Sequence, residues 1–325
     1  MLKRSAFSMI ELIFVIAIMG IIGKFGVEFL ANAYRNFIFS KVNHELQATS
    51  SAAVELIAAK LQHRIKASVI ARKGVPPATP VAIGSASGDD FIVIEWIGID
   101  YEGFKGNSDD NSSSYYLPNW SGIIDLDNAN ASSSILVSPE TNTSAISKMV
   151  ETLSYSTADI NDTALFFIGA NSDAETDYGW DGNLSKIDAQ TGAMHPINST
   201  SQIDQYTNAA SENATNDFTG VDVYEYYYLA WTAYAIVYEA GDNNMGTLRM
   251  YWNYQPWKDL NGDGDADQFN DAPNVQSAVI MENVSTFRFS SIGSILKIQV
   301  CTKSEIIDGT NDGDGYSICK EKTVF

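Results

Sequence analysis

From residue 7 to residue 30 the chain reads FSMIELIFVIAIMGIIGKFGVEFL, an almost unbroken apolar run. Between residues 7 and 23 its only ionisable side chain is Glu11. A helix rises about 1.5 Å per residue, so roughly 20 such residues cross a bilayer core. Lys3 and Arg4 precede the run and predict a cytoplasmic N-terminus. The pattern then turns amphipathic, and residues 31–73 contain neither Pro nor Gly. Val54, Ile57, Ala58, Leu61, Ile65 and Val69 recur at helical spacing, with Glu55, Lys60, Gln62, Arg64 and Lys66 on the other faces. The periodicity predicts one helix from Phe7 to about Arg72, roughly 100 Å long. Its apolar stripe is expected to lie on a sheet of the chain's own head, with a coiled-coil stalk as the alternative. Gly74 and the run Pro76-Pro77-Ala78-Thr79-Pro80 end it.

Beyond residue 74 the period falls to that of strands. Residues 91–99, 164–168, 221–240, 247–254, 277–290, 294–302 and 316–325 are rich in β-branched and aromatic residues. Residues 221–240 read as one long strand or two joined, pairing with 247–254 across the turn at 241–246. Ile146, Met149, Val150 and Leu153 mark a short helix. Residues 106–114 and 171–220 are polar with little periodicity, as insertions on the sheet or a poorly ordered face. The expected class is α+β: a long N-terminal helix, transmembrane in its first half, packed on a mainly antiparallel β-sheet head with long polar insertions. The expected divisions are 1–6, 7–30 (membrane), 31–73 (amphipathic helix) and 74–325 (head).

Charge divides at the same place. Residues 1–73 hold ten Lys/Arg against four Glu, whereas residues 74–325 hold ten against 36 Asp/Glu. Such a head repels phosphate backbones, so nucleic acid is not an expected partner. Divalent cations and basic protein surfaces suit it better. Cys301 and Cys319, each in a strand-like context, predict one disulfide in an oxidising compartment, two buried thiols being the alternative. No enzyme motif appears: G-x-S-x-G, HExxH, P-loop and Rossmann patterns are missing, and catalysis is not expected. His44 and His63 fall on the predicted helix and His195 in a loop before Pro196.

One loop has metal-binding spacing. Asp259, Asn261 and Asp263 take the first, third and fifth places, Gly264 the sixth, Asp265 offers a backbone carbonyl at the seventh, and Asp267 takes the ninth. Alternating oxygens around a turn glycine suit a hard cation, and the stretch resembles EF-hand and dockerin-type calcium loops. The twelfth place is Asn270 where those loops carry an acid, so the expected site is weak. The stretch from Asp308 to residue 315 has fewer ligands in register and reads as a turn.

The N-terminus combines a short basic leader, a small residue, Phe, three residues, Glu and an apolar helix. In this it resembles the type IV pilin and type II secretion pseudopilin superfamily. The match covers about thirty residues, with Ala6 where the family usually has Gly. The resemblance implies that a prepilin peptidase cuts between Ala6 and Phe7 and that Phe7 is N-methylated. Glu11 would then be the fifth mature residue and pair with a Phe7 amine, its own or a neighbouring subunit's, recruiting subunits into a filament. The resemblance further implies a single-pass protein of the inner membrane, its head periplasmic or extracellular. Implied partners are other minor and major pilins or pseudopilins, the inner-membrane assembly platform and membrane lipid. Phe287-Arg-Phe-Ser and residues 295–301 resemble the larger minor pseudopilins of the J-like class. Some pseudopilins hold calcium in their heads. A bulky head suits a low-copy or tip subunit. The rival expectation is a surface adhesin or ligand-binding module on a pilin-type anchor.

Overall fold

Helix α1 runs from Met9 to Gln62, 54 residues and about 80 Å. It opens the chain in this computed structural model, which describes residues 8–86, 88, 90–106, 117–209, 217–241, 245–304 and 317–325. The expected leader and the junction of Ala6 with Phe7 lie outside the described residues, as do most of 106–114 and the second acidic stretch at Asp308.

The helix ends ten residues before the expected Arg72. Nothing in its own sequence stops it there; the sheet does. The C-cap His63 leaves helical geometry, Arg64 bridges to Gly98, and the amide of Ile65 donates to the Ile97 carbonyl at 2.9 Å. Ile65 and Val69 are buried as the helical stripe requires, but from extended backbone. Tertiary pairing outweighs a helical period here. Strand β1 (Ile70–Arg72) therefore belongs to the head, and the expected boundary at residue 73 moves to the end of α1.

The other strands are β2 (Val81–Ala82), β3 (Val93–Gly98), β4 (Leu136–Val137), β5 (Ala164–Phe167), β6 (His195–Ser199), β7 (Gln205–Asn208) and β8 (Tyr227–Ala230). They are followed by β9 (Thr232–Ala240), β10 (Gly246–Trp252), β11 (Gln276–Ile292), β12 (Ile295–Lys303) and β13 (Ser317–Val324). Short helices α2 (Tyr101–Lys105), α3 (Thr143–Leu153) and α4 (Ser185–Asp188) interrupt them. Eight strands form one sheet in the order β13-β12-β11-β10-β9-β3-β1-β2, and five form a second, β4-β7-β6-β5-β8. Among the described residues every pairing is antiparallel. The fold is thus α+β with two sheets in the head.

The stretch 221–240 resolves into two strands. Trp231 separates β8 from β9, and the chain leaves the second sheet and enters the first within that one residue. The polar stretch 171–220 holds α4, β6 and β7, so it builds the second sheet. His195, expected in a loop, opens β6; it is buried and its Nδ1 lies 3.0 Å from Gln190 Oε1.

Three apolar clusters fill the head. One joins Ala53, Val54, Ile57, Ala58 and Leu61 of α1 to Ile94, Trp96, Ile236, Ile298 and Val300 of the first sheet. A second, around Trp180, Tyr254, Trp257 and Phe269, lies on the other strand faces. The third belongs to the second sheet, with Ile146 and Val150 of α3 against Phe167, Tyr206 and Leu229. At the rim of the first cluster, Lys322 Nζ meets Glu55 Oε1 at 2.7 Å.

Candidate functional site

The N-terminal turn of α1 is closed by its own side chains. Ser8 is the N-cap; its Oγ accepts the Glu11 amide at 3.4 Å, and Glu11 Oε2 accepts the Ser8 amide at 3.0 Å. This reciprocal capping box satisfies two amides that a helix start otherwise leaves open. It gives Glu11 a local role beside the assembly role expected of it. The signal was available as Ser-x-x-Glu ahead of an apolar run, and Ser8 is the residue that sequence reasoning missed. Glu11 has a second consequence: its carboxylate sits at the positive end of the helix dipole, four residues after the expected mature terminus. From Met9 to Phe37 every side chain is exposed, and the helix is long and apolar enough to cross a membrane by length and composition.

The acidic loop follows β10 and is anchored behind it. Arg72, buried in β1, donates to Glu95 Oε1, to the carbonyls of Ala78 and Trp180, and to Gln268 Oε1. Gln268 Nε2 in turn donates to the carbonyls of Gly179 and Ala266. One side-chain network thus fixes the C-terminal end of the loop to the sheet. Within the loop, Asp259 accepts the amides of Gly262 at 2.6 Å and Gly264 at 2.9 Å. Asn261 Oδ1 accepts the Asp263 amide, and Asp263 Oδ1 the Asp265 amide. Gly262 and Gly264 both take positive φ, which a side chain would strain.

The five expected ligand residues therefore share one turn, but they divide within it. Asn261, Asp263 and Asp265 are exposed and Asp259 is half-buried, whereas Asp267 is fully buried. Its Oδ2 accepts the Leu260 amide at 3.0 Å, while its Oδ1 has no partner. Burial, ahead of the charges of Asp271 and Asp259, pushes its carboxyl up to about 6. Asp265 instead lines a cavity of about 300 Å³ shared with Asp181 and Asp271. Asn270 turns away and donates to the Pro76 carbonyl, so the twelfth place holds the proline loop. Among the described residues no three acids, histidines or cysteines converge closely enough to hold a metal. The chemistry of the set still fits a hard cation: every donor is oxygen, and a buried carboxylate oxygen is left without a partner.

Cys301 and Cys319 form a disulfide across the directly opposed pair of β12 and β13, with Cα atoms 4.0 Å apart. Comparison of the chain with protein-family models, with curated proteins and with solved structures finds no match.

Proposed function

We propose that this chain is a pilin-type subunit: a minor pilin or pseudopilin of the J-like class, in a low-copy or tip position of a type II secretion or type IV pilus-like filament. The observation that carries the reading is the N-terminal helix. It holds an acid at its first turn, exposes an apolar face all round for more than twenty residues, and runs unbroken into an antiparallel head. A carboxylate kept within that apolar run supports a functional role for Glu11 beyond anchoring.

On this reading prepilin peptidase removes residues 1–6 and Phe7 becomes the N-methylated terminus. The protein sits once through the inner membrane with its head in the periplasm, and membrane lipid, the assembly platform and other pilins are its partners. Glu11 neutralises a terminal amine, where low dielectric makes charge pairing strong. The acidic loop takes one weakly held calcium through Asp259, Asn261, Asp263, the carbonyl of Asp265, and Asp267.

N-terminal sequencing of membrane-extracted protein tests the reading. Phe7 is expected as the first residue; an intact Met1, or a start after residue 20, would sink it. Deletion then separates a structural subunit, whose loss stops filament assembly or secretion, from an adhesin on a pilin-type anchor, whose loss spares filaments and removes attachment.

A further inference from the structure

At the C-terminal end of α1, where the two sheets meet at Trp231, there is a cavity of about 490 Å³. That volume is typical of small-molecule sites, which favour such junctions. Its wall is unusually aromatic. Tyr234 and Trp252 are directly opposed across β9 and β10, so their rings share one face of the sheet. Tyr234 lies so close over Gly98 that a Cβ there would meet ring carbons at 2.5 Å. A glycine in β3 thus seats the ring. Across the opening, His63 stacks on Tyr101 with centroids 3.6 Å apart.

The polar groups are equally specific. Asp100 caps α2 by accepting the Gly103 amide at 3.1 Å and stands behind the cavity. Glu102, Lys60 and Lys105 line its mouth. Lys60 Nζ sits 5.4 Å from the Tyr234 ring centroid and Lys105 Nζ 4.7 Å from that of Tyr101. The Tyr234 hydroxyl and the Trp252 indole N–H form no hydrogen bond with any described residue.

These features narrow the occupant. Residues 74–275 carry 30 Asp/Glu and only five Lys/Arg, yet the cavity balances two lysines against two carboxylates. A ligand of either net charge gains little from such a lining. The ring faces that attract a cation already hold Lys60 and Lys105. A purely apolar ligand would leave the Tyr234 hydroxyl and the Trp252 indole N–H without partners once water is expelled, at about 1–3 kcal/mol for each. What remains is a neutral ring with a C–H face for the aromatic side chains and hydroxyls around its edge for the carboxylates, lysines and indole. We infer that this cavity is a binding site for a neutral sugar, of hexopyranose size, stacked on Trp252 with the Tyr234 hydroxyl at its edge.

The site is independent of the filament reading, since nothing in it depends on the N-terminus. Saturation-transfer NMR on the full chain, in an amine-oxide detergent free of sugar headgroups, tests it with methyl glucoside, galactoside and mannoside at millimolar concentration. Transfer to the ring protons of at least one is expected, with glucuronate and glucosamine giving none or much less. Trp252→Ala should abolish the transfer, and Glu102→Gln should weaken binding by about tenfold. Glu102 and Lys60 are exposed, so Glu102→Gln and Lys60→Met keep the test alive if Trp252→Ala fails to fold. No transfer to any neutral hexoside would overturn the assignment. So would preferential binding of the charged sugars, or binding unchanged in a folded Trp252→Ala or in both conservative variants.

Discussion

Arg72 Nε and Glu95 Oε1 meet at 2.5 Å with their side chains 2% and 0% exposed, which makes them a sealed ion pair at the centre of the head. The remaining donors of Arg72 reach the proline loop at Ala78, the turn at Trp180, and Gln268 behind the acidic loop. Tyr254 donates to the other oxygen of Glu95 at 3.0 Å. Removing one member of such a pair strands the other charge without water, at about 3–5 kcal/mol. Glu95→Gln and Arg72→Met should each lower stability by that order in urea unfolding. The double variant should recover only part of it, because the carbonyls of Ala78 and Trp180 still lack the donor that Arg72 supplied. Full recovery would show that the carbonyl contacts contribute nothing.

The capping box separates two roles for Glu11. Glu11→Gln keeps an acceptor for the Ser8 amide and removes the charge, whereas Glu11→Ala removes both. If pairing with a terminal amine drives assembly, the two variants should co-assemble equally poorly with partner pilins while still inserting in the membrane. If the cap is what matters, Gln should behave as the wild type, and Ala should lose about 1 kcal/mol of helix-start stability. Pull-down of assembled filaments with each variant decides between them.

Calcium should raise the melting temperature of the protein at millimolar concentration, because the unfolded loop has no formed site. Affinity is expected near the ~10⁻⁴–10⁻³ M range of extracellular modules, given Asn270 at the twelfth place. Asp259→Ala with Asp263→Ala should erase the shift. Asp267→Asn should erase it too, yet stabilise the calcium-free protein at neutral pH, since a buried charge without a full set of partners is removed. A wild-type melting curve unmoved by calcium against chelator would reduce the loop to a solvated turn.

Burial pushes Asp100 up to about 6, against the N-cap bond from Gly103 that lowers it. The unfolded value is near 3.9, so between those values the folded state holds the proton more tightly. Stability from this group is therefore full below pH ~4 and falls as the pH rises through ~6, by roughly 2–3 kcal/mol in all. Asp100→Asn keeps the acceptor for Gly103 and should flatten that part of the profile. Asp267 contributes with the same sign, so the quantity to read is the difference between wild type and variant across pH 4–7.

The parts of this fold that were legible in the sequence are those whose signal is local. The apolar run of α1, the hairpin of β9 and β10, and the α3 stripe of Ile146, Met149, Val150 and Leu153 all carry their own period. The cysteine pair was legible because each Cys lies inside a strand pattern. What escaped was set from elsewhere in the chain. Gln62 ends the helix because β3 offers its carbonyls to the next residues, which no stop signal announces. Strands β6 and β7 are five and four residues long in a polar stretch, and they are held by pairing with β5 and with each other. The split at Trp231 needs a second sheet to exist before it means anything. In the acidic loop the spacing placed all five residues on one turn, but the inward turn of Asp267 goes with its acceptance of the Leu260 amide, and the outward turn of Asn270 with the proline loop.

Between residues 27 and 62 helix α1 has neither Pro nor Gly, and its first buried residue is Ser50. Residues 31–49 therefore form a rigid spacer of about 28 Å between the apolar run and the head. A rod of this kind transmits rotation as well as distance. Each residue advances the helix by roughly 100° about its axis, so the compass bearing of the head relative to Glu11 is written in the number of residues between them. Inserting one residue in the spacer would lift the head by only about 1.5 Å but swing every surface on it more than a quarter turn away from its neighbours.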